Sequence, residues 1–295
     1  MMLRGKWILF IAITALLFAG VFSCNMPTGQ SSGTTGTLSV LLTDAPLPID
    51  AVDATEVTID SMVIREKVET GEEAGKPFIT LTSEEQSFNL LDFRNGVAAN
   101  VVEMEVPTGE YDLVRLYVGE ASITYDGTEH NLFVPSGAQT GIKIFIEPAI
   151  QVEGGLTSEL LLDFDVNRSF IVRGNPLTPS PIKGFNFKPV IRSSNLSTAG
   201  RVTGMVTDAE TGDALEGIEV KAEQDTGIVA SALTEADGSY TIIGLQAATY
   251  NTFSAVAAAD YDSTAVEGVN VVAGNSTTVD FEMNPVETTA ADASN

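Results

Sequence analysis

From Thr37 onward the chain is a succession of short β-rich runs cut by Gly, Pro, Asn and Asp, without an amphipathic helical pattern longer than two turns. That rhythm limits the fold more than any other feature. Many short strands separated by turn signals build antiparallel sandwiches, not helical bundles or βαβ layers. Runs of this kind occupy 38–42, 56–64, 78–81, 111–118, 122–125, 142–146, 160–166 and 185–191. Only 92–102 offers a pattern that could hold a short helix. In 160–167 the faces separate: Leu160, Leu162, Phe164 and Val166 alternate with Leu161, Asp163, Asp165 and Asn167. A period of two predicts a strand with one buried face. Asp126-Gly127 between 122–125 and 132–134 predicts a hairpin turn.

A polar stretch after Ser193, Ser-Asn-Leu-Ser-Thr-Ala-Gly at 194–200, divides the body. We expect one β-sandwich domain over 37–193, a linker over 194–200, and a second β-sandwich over 201–284. Strand-like runs recur in the second part at 201–207, 218–223, 228–234, 239–245, 250–257, 265–272 and 276–283. Seven strands in so short a stretch match one small sandwich. Residues 285–295 carry few large apolar side chains and are expected to be a disordered tail. The predicted class is all-β: two antiparallel β-sandwich domains in series after a lipoprotein signal peptide.

That leader is residues 1–23. A short basic start with Arg4 and Lys6 precedes an apolar run from Trp7 to Phe22. The run is shorter than the ~20 residues that span a bilayer comfortably, and it has the size of a signal-peptide core. It closes on Val21-Phe22-Ser23-Cys24, with a small residue directly before the chain's single Cys. The arrangement resembles the bacterial lipoprotein signal, in which the Cys is acylated and becomes the mature N-terminus. The resemblance makes Cys24 the lipidation site and the membrane anchor. Residues 24–36 are Ser/Thr/Gly-rich and uncharged, and read as the lipidated Cys and a flexible tether.

Charge and missing residue types exclude several functions. Lys+Arg number 15 against 40 Asp+Glu, a net charge of −25, and losing Arg4 and Lys6 with the leader makes it −27. So acidic a body repels phosphate backbones, so nucleic acid is not an expected partner. With Cys24 and Trp7 both at the N-terminus, the folded body has neither Cys nor Trp, which removes disulfides, thiolate zinc sites and Cys nucleophiles. The lone His, His130, is the one residue that could serve a Ser-His-Asp relay, and it lies in what reads as an exposed hairpin loop. We expect no catalytic residues, no cofactor-binding residues and no enzyme activity. Asp163 and Asp165, with Asn167 on the same strand face, are candidate oxygen ligands for calcium, the one cofactor considered. Yet Arg168 stands where a calcium loop needs Gly, and a solvated face explains the same pattern.

Two resemblances cover the body. The stretches Gly204-Met205-Val206-Thr207-Asp208, Thr211-Gly212, Leu215-Glu216-Gly217-Ile218, Thr234-Glu235-Ala236-Asp237-Gly238-Ser239-Tyr240, Gly244-Leu245 and Tyr250 resemble the carboxypeptidase regulatory-like domain, a transthyretin-like sandwich. The chain departs from that pattern at Ala248 and Asp260, where Gly is usual. The resemblance implies an accessory module with a carbohydrate-binding-like fold and no catalytic zinc. Upstream, Leu41-Leu42-Thr43-Asp44-Ala45-Pro46, Leu90-Leu91-Asp92, Pro107-Thr108-Gly109-Glu110-Tyr111, Val134-Pro135-Ser136-Gly137, Leu162-Asp163-Phe164-Asp165-Val166 and Phe187-Lys188-Pro189-Val190-Ile191 resemble the DUF4382 family of bacterial envelope proteins. Together they imply a lipid-anchored protein of the bacterial cell envelope acting as a non-enzymatic binding or structural module. Its partner would be an envelope polysaccharide or a protein. The alternatives are a calcium-stabilised adhesion or assembly subunit and, more remotely, an envelope hydrolase. The lack of Trp and the presence of only six Tyr weigh against a large aromatic glycan platform.

Overall fold

Alternating apolar side chains and left-handed turns fold most of the described residues into strands. The structure, a computed structural model, describes residues 33–45, 52–68, 77–134, 140–173, 184–225, 227–256 and 260–286. The first twelve strands are β1 Thr35–Ala45, β2 Val52–Glu66, β3 Phe78–Thr82, β4 Gln86–Asn89, β5 Ala99–Pro107, β6 Gly109–Tyr125, β7 Thr128–Asn131, β8 Ile142–Val152, β9 Thr157–Asp165, β10 Phe170–Val172, β11 Phe185–Phe187 and β12 Ile191–Asn195. Eight more follow: β13 Ala199–Asp208, β14 Glu219–Gln224, β15 Gly227–Leu233, β16 Ser239–Gln246, β17 Ala248–Ala255, β18 Thr264–Val271, β19 Ser276–Thr278 and β20 Phe281–Met283.

In the first sandwich, one sheet has the order β12-β9-β1-β5 and the other is built on β2 and β6, with β3, β4, β7 and β8 around them. Leu38, Val40 and Leu42 of β1 share a buried cluster with Ile59 of β2, Leu116 of β6 and Ile144 of β8. Leu160, Leu162 and Phe164 of β9 join it, as the alternation predicts. The second sandwich sets β16-β13-β19 and β20 against β15-β14-β17-β18. Its core holds Val202, Val206, Val220, Tyr240, Phe253 and Phe281. Pairing is antiparallel except where each sandwich's first strand meets a later one: β1 runs parallel to β9, and β13 to β19 and β20.

Each sandwich also closes a corner with a tyrosine. Tyr111 Oη donates to the Pro107 carbonyl at 2.8 Å, and Tyr250 Oη to the Gln246 carbonyl at 3.1 Å. In both the hydroxyl reaches back four residues and satisfies a carbonyl at the strand-to-strand turn. The second corner forms with Ala248 in place of the usual Gly.

Several sequence expectations are corrected. The possible helix at 92–102 is a single 3₁₀ turn, Leu90–Phe93, followed by the start of β5. The runs at 111–118 and 122–125 fuse into β6, whose Asp126-Gly127 turn takes φ of 48° and 68° and leads into β7. The run at 185–191 divides between β11 and β12. Of the segment 194–200, only 196–198 lies outside strands, and the Thr198 amide donates to the Asn195 carbonyl at 3.1 Å. Both sandwiches therefore follow one another with almost no spacer, inside one compact unit.

Candidate functional site

The parallel pairing of β1 with β9 sets Thr43 opposite Asp163, Asp44 opposite Phe164 and Ala45 opposite Asp165. Two acidic motifs far apart in sequence thus become neighbours at one end of the sheet. On the other side of β9, β12 places Arg192 opposite Asp163. Arg192 Nη2 and Asp163 Oδ2 pair at 2.5 Å, with only 24% and 18% of the side chains exposed. Asp165 ends β9 and caps the helical turn Val166–Ser169: its Oδ1 accepts the Arg168 amide at 2.9 Å, and its Oδ2 accepts Arg168 Nε at 2.6 Å. Asp44 is buried, accepts the Val166 amide at 3.3 Å through Oδ1, and has no partner at Oδ2.

Burial dominates the electrostatics. It pushes the Asp44 carboxyl well above the usual carboxylate range, and the nearby Asp163 charge adds to the push. Asp163 is also raised: the loss of solvation outweighs the opposing pull of Arg192.

The structure separates the calcium candidates from the shared strand face. The chain turns into a helix at Val166, so Asn167 leaves the strand face it was expected to share with Asp163 and Asp165. Each of those carboxylates is engaged by a guanidinium, Asp163 by Arg192 and Asp165 by Arg168. Among the described residues, no group of three His, Cys, Asp or Glu side chains has metal-holding geometry. His130 is not in a loop: it lies on β7 opposite Ile123, half-buried, with its ring 5.5 Å from that of Phe185. Cys24 and the leader lie outside the described residues.

The Asp163–Arg192 pair forms part of a cleft between the two sandwiches, with a volume of about 790 Å³. Phe145 and Glu147 of β8 and Ser194 of β12 line it on one side, and Asp225, Gln246 and Tyr250 on the other. Phe145 is 60% exposed, because Ile144 and Ile146 take the inward positions of β8. Arg192 Nε and Nη1, Asp163 Oδ1 and Ser194 Oγ are buried without any hydrogen-bond partner.

Direct contacts fix the walls of this cleft. Asn95, held at φ 57°, accepts the Thr241 amide at 2.6 Å and donates to Glu235 at 2.9 Å. Gln246 Nε2 donates to the Glu147 carbonyl at 2.6 Å. Leu161 is 1% exposed on the outer face of β9 and packs under Gly244, where an added Cβ would stand 2.7 Å from the Leu161 methyl. Sequence reasoning found Asp163 but missed Arg192, Phe145, Asn95 and this role of Leu161. Two signals were present: Leu161 is the apolar exception on an acidic strand face, and Phe145 is the apolar residue on the outward side of an Ile-rich alternation.

Comparison with known proteins places these features. Residues 35–189 match the model of DUF4382, described as a domain of unknown function, and residues 201–284 match the carboxypeptidase regulatory-like domain. No curated protein matches the chain. Among solved structures, a candidate carbohydrate binding protein from Bacteroides uniformis is similar at 20% identity and a TM-score of 0.25, over 29% of this chain and 41% of that one. GBS52, the minor pilin of Streptococcus agalactiae, is 12% identical over 87% of this chain and 99% of its own, with a TM-score of 0.27. Shaft pilin SpaA from Lactobacillus rhamnosus GG is 13% identical over 86% and 98%, with a TM-score of 0.26.

Proposed function

We propose that this chain, which belongs to the DUF4382 family, is a non-enzymatic binding or structural module displayed from the bacterial cell envelope through a lipid on Cys24. The observation that carries the binding reading is the cleft at the seam, walled by strands of both sandwiches and bordered by the exposed Phe145 ring. The cleft's size lies within the range of small-ligand sites, roughly 300–1,000 Å³. Asp163, an acid on the cleft wall, already has its Oδ2 committed to the Arg192 guanidinium and not to a nucleophile it could serve as base.

The anchor follows from the leader. Several acyl chains on Cys24 each bury many CH₂ groups at ~0.8 kcal/mol apiece, which makes attachment effectively permanent. The partner is an envelope polysaccharide or a protein. Two measurements test the reading. Cys24→Ala should move the protein from the membrane to the soluble fraction and abolish palmitate labelling; unchanged fractionation would remove the anchor. Envelope polysaccharides incubated with the full chain should be bound without bond cleavage, and release of new reducing ends would contradict the non-enzymatic reading.

A further inference from the structure

We propose that the outer face of the β3-β2-β6-β8 sheet is a binding site for an acidic sugar, with Arg115 and Lys143 holding its anionic group and Tyr117 and Phe145 flanking it. This inference rests on the reading of the chain as a binding module and names the ligand class.

Cross-strand register assembles the face. Ile64, Val114 and Ile144 point into the core, so their neighbours on β2, β6 and β8 point out. One row across the sheet reads Phe78, Arg65, Leu113 and Phe145, and the next reads Thr80, Val63, Arg115 and Lys143. Tyr117 follows Arg115 on the same side of β6, and its ring is 3.2 Å from where a Cβ on Gly141 would stand.

Arg115 and Lys143 are directly opposite each other. Like charges in that position destabilise a sheet. The chain has acids in excess to neutralise them, 40 Asp+Glu against 15 Lys+Arg, yet among the described residues neither cation pairs with a carboxylate. Asp112, beside them on β6, is taken by Arg65 at 3.0 Å, and Asp60 lies farther along the face over Gly119. Both cations can be reached. Lys143 is exposed. Arg115 is half-buried with its guanidinium 4.6 Å from the Phe78 ring centre; Nε is closed off, while Nη1 and Nη2 are open and have no partner among the described residues.

An anion bridging the two cations replaces a repulsion with two charge-assisted contacts. A carboxylate and a phosphate share that chemistry. The apolar flanks favour a sugar as the carrier. Phe145, two residues beyond Lys143, is 60% exposed, and Tyr117, two residues beyond Arg115, is half-buried. Rings beside fixed charges suit the C–H face of a pyranose. Phe145 also borders the cleft, so the face continues into the seam. An acidic peptide finds less here: β6 is paired to β2 on one side and β8 on the other, which leaves no strand edge for main-chain hydrogen bonds. Charges more than about 8 Å away are largely screened at physiological salt, so a short ligand meets the local pair despite the net charge of −25.

The test is an isothermal titration of the full chain with galacturonate oligomers, their methyl esters, a phosphorylated mannose oligomer and a glutamate oligopeptide, repeated with Lys143→Gln and Lys143→Glu. Without ligand, Lys143→Gln should melt no lower than wild type, because it removes a repulsion. An acidic oligomer should bind saturably and more weakly as salt rises, and the tighter of the carboxylate and phosphate arms identifies the anion. The methyl ester should bind about tenfold more weakly or worse; Lys143→Gln should cost about tenfold, and Lys143→Glu should abolish binding. Methyl esters that bind as tightly as the acids, or acid binding untouched by Lys143→Glu, would overturn the site. Binding of the glutamate peptide alone would overturn the sugar and leave a protein partner. No binding of any probe would also overturn the inference, and intact envelope polysaccharide still held by the same protein would leave the binding module standing.

Discussion

Asp44 shows how far one side chain's behaviour departs from its sequence. In Leu-Leu-Thr-Asp-Ala-Pro it reads as a turn or cap acid, yet it is 5% exposed, with one oxygen unpartnered and Asp163 nearby. Its carboxyl is raised above its value in the unfolded chain, so the stability it contributes is present at acid pH and lost as pH rises through the folded value. Asp44→Asn keeps an acceptor for the Val166 amide and removes the buried charge. It should raise Tm at neutral pH by a few degrees, equivalent to roughly 1–3 kcal/mol, and flatten the fall in Tm between acid and neutral pH. Asp208 works in the opposite sense. Hydrogen bonds from the Thr211 amide, Tyr261 Oη and the Glu210 amide hold it below the usual range, so its contribution is lost as pH falls. Melts of Asp208→Asn should therefore differ from wild type at neutral pH and converge with it in acid. Asp163 was legible as a polar position on a strand, but its partner was not. Arg192 comes from a strand 29 residues on, and no local pattern encodes that pairing.

Most strands could be read from alternation, because each buries one face against a core. The misread elements are those where local preference and tertiary pairing disagree. The segment 92–102 has helix-compatible residues, but β5 pairs with β1 across a register shift at Val40/Leu41 that hides its alternation. The end of β9 was hidden for a different reason: Asp165 continues the strand pattern in sequence while its side chain caps a helical turn. Gly204 marks where element packing is least forgiving. A Cβ there would stand 1.7 Å from the Val279 carbonyl oxygen, between β13 and the strands parallel to it. Backbone cannot yield as a side-chain tip can. Gly204→Ala should therefore cost far more than the ~1 kcal/mol typical of a turn glycine and prevent the second sandwich from closing. Gly212→Ala, at φ 76° with open space around it, supplies that milder reference. Chemical denaturation of both variants should rank them in this order.

At the scale of the molecule, two β-sandwiches are legible in the sequence, but the seam between them is not. The polar stretch 194–200 suggests a loose linker, whereas the turn it contains is tight and the seam is pinned by Asn95, Gln246 and Leu161. Asn95-Gly96 is a turn signal in any sequence. That its amide also bridges to Thr241 and Glu235 depends on where β16 arrives, which only the fold decides. Asn95→Ala removes both bridges and should separate a single calorimetric transition into two, one for each sandwich. The seam matters because, on the function proposed above, the two sandwiches together make the binding site. Hydrogen–deuterium exchange of the full chain, with and without a saturating envelope polysaccharide, reads out whether it does. Protection confined to β8 around Phe145, β12 around Arg192 and the facing 244–246 segment is the predicted result. Protection on a distant face of either sandwich, or none at saturating ligand, would contradict it.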